Sequence, residues 1–282
     1  MMRKFRFYPL YLLLAVMVSG LSSAAETEAK VYSVYIVPQL TAIATQKAWE
    51  PVLNKLSTAT GLNFELVVMP SIPTFEAQLY KGAPDFAFVN PYHSIVAKRQ
   101  QGYIPLLRDS ATMLYGIVVV RKDDPIDAIE KLAGRKVSFP APNAFAASLA
   151  IQATLAKKHI DIIPSFVKTH SNVYLSVLME DAAAGGGVNN TFDREPSDVR
   201  DQLRVLYVTP AFAPHPLMAN PRIPEALRAK VITSFIDLAA DPANAAIFNN
   251  IQMPKPIAAD YRRDYLDLEK LGLDKFAVNG GE

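Results

Sequence analysis

No cysteine occurs among the 282 residues, which excludes a disulfide framework, thiolate metal ligands and lipid attachment through an N-terminal cysteine. Histidine is scarce: there are only four, at 93, 159, 170 and 215. No pair has the i,i+4 or short-turn spacing of zinc motifs, so no metal is expected. A Gly-x-Ser-x-Gly nucleophile elbow is absent, and an enzyme is not expected. Gly185-Gly186-Gly187 lacks the Lys-Ser/Thr of a phosphate-binding loop and the spacing of a dinucleotide fingerprint, so no nucleotide cofactor, or any other, is expected.

Long apolar runs are also missing, apart from Leu10 to Val18. That run follows Arg3, Lys4 and Arg6 and leads into Ser22-Ser23-Ala24-Ala25, the three-part grammar of a secretory signal peptide over residues 1–25. It is short for a bilayer span. The remaining chain of about 257 residues is expected to be exported to the periplasm as a soluble, untethered monomer. Removing Arg3, Lys4 and Arg6 takes the 29 basic residues to 26 against 27 acidic ones, a net charge of −1. Such a balance gives no support to a nucleic-acid partner.

What the chain does contain is alternation. Val31 to Val37 reads as a strand, followed by an amphipathic helix carrying Trp49, Val52, Leu53 and Leu56 and closed by Gly61. Phe64 to Met69 is a second strand, and Pro70-Ser71-Ile72-Pro73 starts a second helix with Phe75, Leu79 and Tyr80 on its buried side. Asp85 to Val89 is a third strand, capped into a third helix by Asn90-Pro91. After the apolar run Leu114 to Arg121 the logic repeats. Strands are expected at 136–139, 166–169 and 181–184, helices at 144–158 and 172–180, a glycine-rich turn at 185–187, and a helical segment from about Thr191. Arg204 to Thr209 returns the chain to the first unit, leaving helices near 225–239, 243–249 and 261–271 to pack outside it. Strands alternating with helices predict an α/β class with parallel sheets. Two lobes follow, residues 26–118 with 208–282 and an inserted 119–207. They are joined by a hinge near 118–122 and 205–209, with a cleft between them.

Four blocks carry a resemblance. They are Pro-Asp-Phe-Ala-Phe-Val-Asn-Pro-Tyr at 84–92, Tyr-Gly-Ile-Val-Val-Val-Arg-Lys-Asp-Asp-Pro-Ile at 115–126, Leu-Ala-Gly-Arg-Lys-Val-Ser-Phe-Pro-Ala-Pro-Asn-Ala-Phe-Ala-Ala-Ser at 132–148, and His170 followed by Ala-Gly-Gly-Gly-Val-Asn-Asn-Thr-Phe at 184–192. In this order they resemble the periplasmic phosphate/phosphite/phosphonate-type substrate-binding proteins of ABC transporters, over nearly the whole mature chain. The resemblance implies a type II-like, two-lobed clamshell that captures a small oxyanion and delivers it to a membrane permease. A membrane histidine kinase or other receptor that reads the closed lobes is the alternative partner, and an enzyme acting on a phosphorylated small molecule ranks below both. The family's anion-binding helix start falls on Asn143-Ala144-Phe145-Ala146, its histidine on His170 and its first-lobe aromatic on Tyr115. The chain departs from the pattern where phosphonate binders carry serine and threonine hydroxyls, since it has Ala144, Phe145 and Ala146. It departs again where aminoalkylphosphonate binders carry acidic residues, since Phe192 and His215 stand near those positions, which disfavours a cationic ligand tail.

The chemistry of these positions is readable without the resemblance. A helix beginning at Asn143 leaves its first N–H groups unpartnered, with partial positive charge gathered there, so alanines do not weaken its backbone donors. His170 follows a strand and can donate to an anion. His215, between two prolines, sits on a stiffened loop after the return crossing. Tyr115 offers a phenol, and Asn90 with Tyr92 heads a facing helix. Thr191, Gln39 and Ser71 are further candidates at strand ends.

Overall fold

The computed structural model describes residues 1–2 and 30–278. The expected signal peptide falls, beyond Met1 and Met2, outside these residues. Among the described residues no single helix is long and apolar enough to cross a membrane.

The first unit opens with β1 (Val31–Ile36), α1 (Ala42–Thr60), β2 (Asn63–Val68), α2 (Ile72–Leu79), β3 (Phe86–Phe88), α3 (Pro91–Gln101) and β4 (Ile104–Asp109). Local chemistry explains the boundaries. Thr41 caps α1 and Gly61 ends it in the left-handed region at φ 68°, which only glycine adopts without strain. Ser71 and Thr74 form a reciprocal capping box on α2, and the Asn90 side chain accepts from the His93 N–H to cap α3, with proline at the first helical position where no N–H is needed.

The second unit contains β5 (Gly116–Arg121), β6 (Lys136–Phe139), a wide helical turn (Phe145–Leu149) running directly into α4 (Ala150–Lys157), β7 (Ile163–Phe166), α5 (His170–Leu178), β8 (Ala184–Val188), the short α6 (Asn189–Phe192) and α7 (Ser197–Arg200), and β9 (Leu203–Val208). The chain then returns through β10 (Leu217–Ala219), α8 (Glu225–Ala240), α9 (Ala245–Asn250), β11 (Pro256–Ala258) and α10 (Tyr261–Asp264).

Two sheets result, a six-stranded one in the order β11-β4-β10-β3-β1-β2 and a five-stranded one in the order β7-β6-β8-β5-β9. The sheets are mixed, correcting the expectation of parallel ones. β1, β2 and β3 are parallel, as are β6, β7 and β8. The strands that enter or leave a unit, β10 in the first sheet and β5 in the second, pair antiparallel on both sides, because they arrive from the other unit without a crossover helix. The chain passes between sheets at 110–115 and 209–216, so of the expected hinge residues 118–121 lie within β5 and 205–208 within β9. The two passages are stitched by an antiparallel bridge, Leu114 N–H to Phe212 O at 2.9 Å and Phe212 N–H to Leu114 O at 2.7 Å.

Gly185-Gly186-Gly187 is not a turn but the middle of β8, and the packing gives the reason. A Cβ on Gly186 would stand 2.3 Å from the Ala147 carbonyl oxygen, and one on Gly116 2.2 Å from that of Ala146. The wide turn therefore rests directly on the sheet backbone, an approach open only to glycine. The opposite face of the strand meets α5, with Tyr174 Oη against Gly187, as two-residue alternation requires.

Four apolar clusters fill the molecule. The largest packs Trp49, Phe75, Phe86 and Phe88 with residues of α1, α8 and α9 over the first sheet. Another crosses between the units, joining Tyr92, Ile95 and Val96 of α3 to Ala144–Ala147 and to Tyr265, Leu268 and Leu273. The C-terminal segment thus spans both units, which corrects its expected place outside the first.

Candidate functional site

Where the carboxyl ends of β1 and β3 face the wide turn, a small cavity of about 20 Å³ lies between the two sheets, lined by Gln39, Asn90, Ala144 to Ala147, His170 and His215 among others. Such a volume admits roughly one water-sized sphere, so a larger guest enters only as the lobes part or the lining side chains turn. Seven of the twelve positions singled out from sequence meet here: Gln39, Asn90, Ala144, Phe145, Ala146, His170 and His215.

The floor is backbone. The turn begins with Ser148 N–H and Leu149 N–H both bonding to the Ala144 carbonyl, while among the described hydrogen bonds the N–H groups of Phe145, Ala146 and Ala147 find no acceptor. These are the unpaired donors of a helix start, carrying its positive field.

The walls are neutral polar side chains. Burial holds the His170 pKa down at about 4. His215 is pushed to about 3 by burial first, with smaller contributions from His93 and His170. Both rings are therefore uncharged at neutral pH. The Gln39 amide nitrogen lies 3.0 Å from His215 Nε2, and the His215 ring stacks on Phe88 at a centroid distance of 5.6 Å. His170 is the first residue of α5, and its Nδ1 lies 3.3 Å from Thr191 Oγ1. Thr191 also donates to the Val188 carbonyl at 3.1 Å. With its one proton so used, Nδ1 donates to Thr191 and Nε2 presents a lone pair; turning the hydroxyl towards Nδ1 frees Nε2 to carry a hydrogen. Thr191 thus selects the ring's tautomer from outside the cavity.

The other sequence candidates stand elsewhere. Ser71 caps α2 through Thr74 at an exposed position. The Tyr92 hydroxyl donates to Asp274 at 2.9 Å. Tyr115 packs beside α5 in a satellite core, its N–H 3.4 Å from Asn189 Oδ1. Asn143 is buried behind the cavity. Its carbonyl accepts from the Asn90 side chain across the two units (3.0 Å), and its amide nitrogen donates to Glu76 (3.1 Å) and to the Val278 carbonyl (2.8 Å). Asn143 is thus a fastener for the turn, with its own side chain facing away from the guest space.

Glu76 and His93 were missed by the sequence reading as members of this fastener. Glu76 is 1% and His93 0% exposed, and they meet at 2.7 Å. Together with Asn90 and Asn143 they form a buried polar chain from α2 to the wide turn. Only spacing within α3 hints at it, since Asn90 and His93 are three residues apart; the links to residues 76 and 143 are tertiary. Among the described residues, no group of three or more His, Cys, Asp or Glu is arranged to hold a metal.

A second cavity of about 190 Å³ adjoins the first, sharing His215 as wall and reaching Arg194, Asn190 and Gln252. No sequence signal pointed to it.

A family model described as "ABC transporter, phosphonate, periplasmic substrate-binding protein" matches residues 34–265. No curated protein matches the sequence. Among solved structures, the chain is similar to a binding-protein component of an ABC phosphonate transporter from Pseudomonas aeruginosa, at 17% identity over 88% of this chain and 87% of that one, with a TM-score of 0.78. A Prochlorococcus marinus protein in complex with methylphosphonate superposes at TM-score 0.79 with 14% identity, covering 89% of this chain and 100% of that one. A Xanthomonas citri protein bound to chloride ion gives 0.76 with 15% identity over 87% and 98%. At these identities the likeness is one of fold, the two-lobed architecture of periplasmic binding proteins.

Proposed function

The chain belongs to the phosphonate-binding family of periplasmic ABC-transporter substrate-binding proteins, and from that premise we propose that it captures a small phosphonate- or phosphate-like oxyanion between its lobes and delivers it to an ABC importer. One observation carries the reading. Three backbone N–H groups without acceptors, at Phe145, Ala146 and Ala147, border a cavity whose facing wall is Asn90, Gln39 and His215 from the other sheet. A guest held from both sides binds the closed arrangement better than the open one, which is the requirement for ligand-driven closure. Neutral histidines and backbone dipoles suit an oxyanion of low charge, since among the described residues no lysine or arginine lines this cavity.

The family's description supports a periplasmic location, and a leader over residues 1–25 would direct the chain there. The test is a thermal-shift screen of phosphate, phosphite, methylphosphonate and sulfate, followed by calorimetry. A ligand that binds only the folded state adds stability that grows with the logarithm of one plus its concentration over Kd, and so raises the melting temperature. If none of these anions shifts the transition at millimolar concentration, the oxyanion reading fails.

A further inference from the structure

We propose that the second cavity is a tail subsite, and that the ligand carries a second anionic group, a carboxylate, which Arg194 receives. This rests on the oxyanion reading of the first cavity and extends it to the rest of the molecule bound there.

His215 is a wall of both cavities, so a guest reaching from one to the other passes its ring. The smaller space is too tight for a tetrahedral head with any substituent, whereas the larger, at about 190 Å³, suits a short organic chain. A substituent on a head held by the wide turn therefore has its room past His215.

The free polar groups along that path come from both units. Arg194, just beyond α6, forms no ion pair among the described residues; its one recorded bond is from Nη2 to the Asn249 carbonyl at 3.3 Å. Its side chain is exposed, so its charge is free to meet a guest in the cavity it lines, and its planar fork matches a carboxylate in a two-point contact. Beside it, the Asn190 amide nitrogen donates to Gln252 Oε1 of the first unit, so the donor left for a carboxylate is the Arg194 guanidinium. Asp109 also lines this cavity, but its two oxygens already accept the N–H groups of Thr112 (2.8 Å) and Lys255 (2.9 Å). It is fixed as a loop fastener, so the uncommitted charge in the cavity is positive.

The ligand class is thus a phosphorus oxyanion joined by a short linker to a carboxylate. Two sources share this chemistry, phosphonocarboxylates and phosphate esters of hydroxy acids. Calorimetry on the full mature chain separates them with 3-phosphonopropionate and phosphonoacetate in one arm and phosphoglycolate in the other, against methylphosphonate for the head alone and 2-aminoethylphosphonate for a cationic tail. At least one carboxylate-bearing ligand is expected to bind tenfold or more tighter than methylphosphonate. Arg194→Gln should erase that advantage while leaving methylphosphonate within about twofold, and Arg194→Lys should recover only part of it.

Equal affinity for methylphosphonate and every carboxylate-bearing ligand overturns the tail subsite and leaves the oxyanion reading standing. Tighter binding of 2-aminoethylphosphonate also overturns it and moves the tail partner to Asp109. An Arg194→Gln loss shared equally by methylphosphonate rejects the division into head and tail. If no phosphorus ligand binds at all, the oxyanion reading falls and takes this inference with it.

Discussion

The two lobes meet the cavity with opposite materials. The first presents side chains, Gln39, Asn90 and His215, held by a core of large rings such as Trp49, Phe75 and Phe88. The second presents mainly backbone, from Ala144 to Ala147 with the glycines beneath them, and adds the His170 ring as its polar side chain. A side chain can be tuned by substitution. A backbone donor is set by how closely its helix approaches the sheet, and that approach is controlled by the absence of a Cβ at Gly116 and Gly186.

The strongest way to break this contrast is Gly186→Val. With the Ala147 carbonyl only 2.3 Å from an added Cβ, the turn must lift, and a destabilisation of about 3 kcal/mol with loss of oxyanion binding is expected; thermal unfolding and calorimetry read both. Full binding in a folded Gly186→Val protein would show that the turn's position is immaterial. Next is Glu76→Ala, which leaves His93 and the Asn143 amide without their shared acceptor. Removing one partner of such a buried set costs about 3 kcal/mol, seen as a lowered denaturant midpoint.

The comparison is sharpened by pH, because the titrating rings bordering the cavity are His170 and His215. Their folded pKa values, about 4 and about 3, lie below the ordinary 6.5, so the unfolded chain takes up protons first as pH falls. Stability is full above pH 6.5 and declines below it, at a slope approaching about 1.4 kcal/mol per pH unit for each ring, until the folded pKa is reached. His170→Gln should flatten part of that slope between pH 6 and 4. His170→Ala should weaken the best anion by roughly tenfold at pH 7, measured by calorimetry; unchanged affinity would remove His170 from the site. The smallest effect belongs to Ser71→Ala, which deletes a helix cap at a cost of about 1 kcal/mol and leaves anion affinity as it was.

Much of this architecture was legible in the residues. Thr41, Gly61, Ser71 and Asn90-Pro91 mark helix ends by local chemistry, and β1, β2, β3, β5 and β6 follow from apolar runs. The failures share a cause. Leu217–Ala219 and Pro256–Ala258 are three-residue strands, too short for periodicity and defined by the strands they pair with. Ile104–Asp109 contains Pro105, a strand breaker by composition, tolerated beside the register shift where β10 pairs with it. β7 starts at Ile163 with Pro164 inside it, and the expected strand at 166–169 ran past its end. The three glycines read as a turn because glycine usually marks one; their purpose depends on the Ala147 carbonyl at Gly186 and on α5 side chains at Gly185 and Gly187. At the site, the helix start and the two histidines were visible as punctuation, but the Glu76 fastener and Arg194 carry no local mark.

Val278 receives a two-point clasp from Asn143, its N–H bonded at 2.9 Å and its carbonyl at 2.8 Å, and the residues after Asn143 present the free amides. A fluorophore attached beside residue 278 would therefore sit one clasp away from the amides proposed to hold the guest. This makes that position a natural attachment point for an optical reporter, and a poor one for a bulky purification handle, whose drag would reach the amides through a single residue.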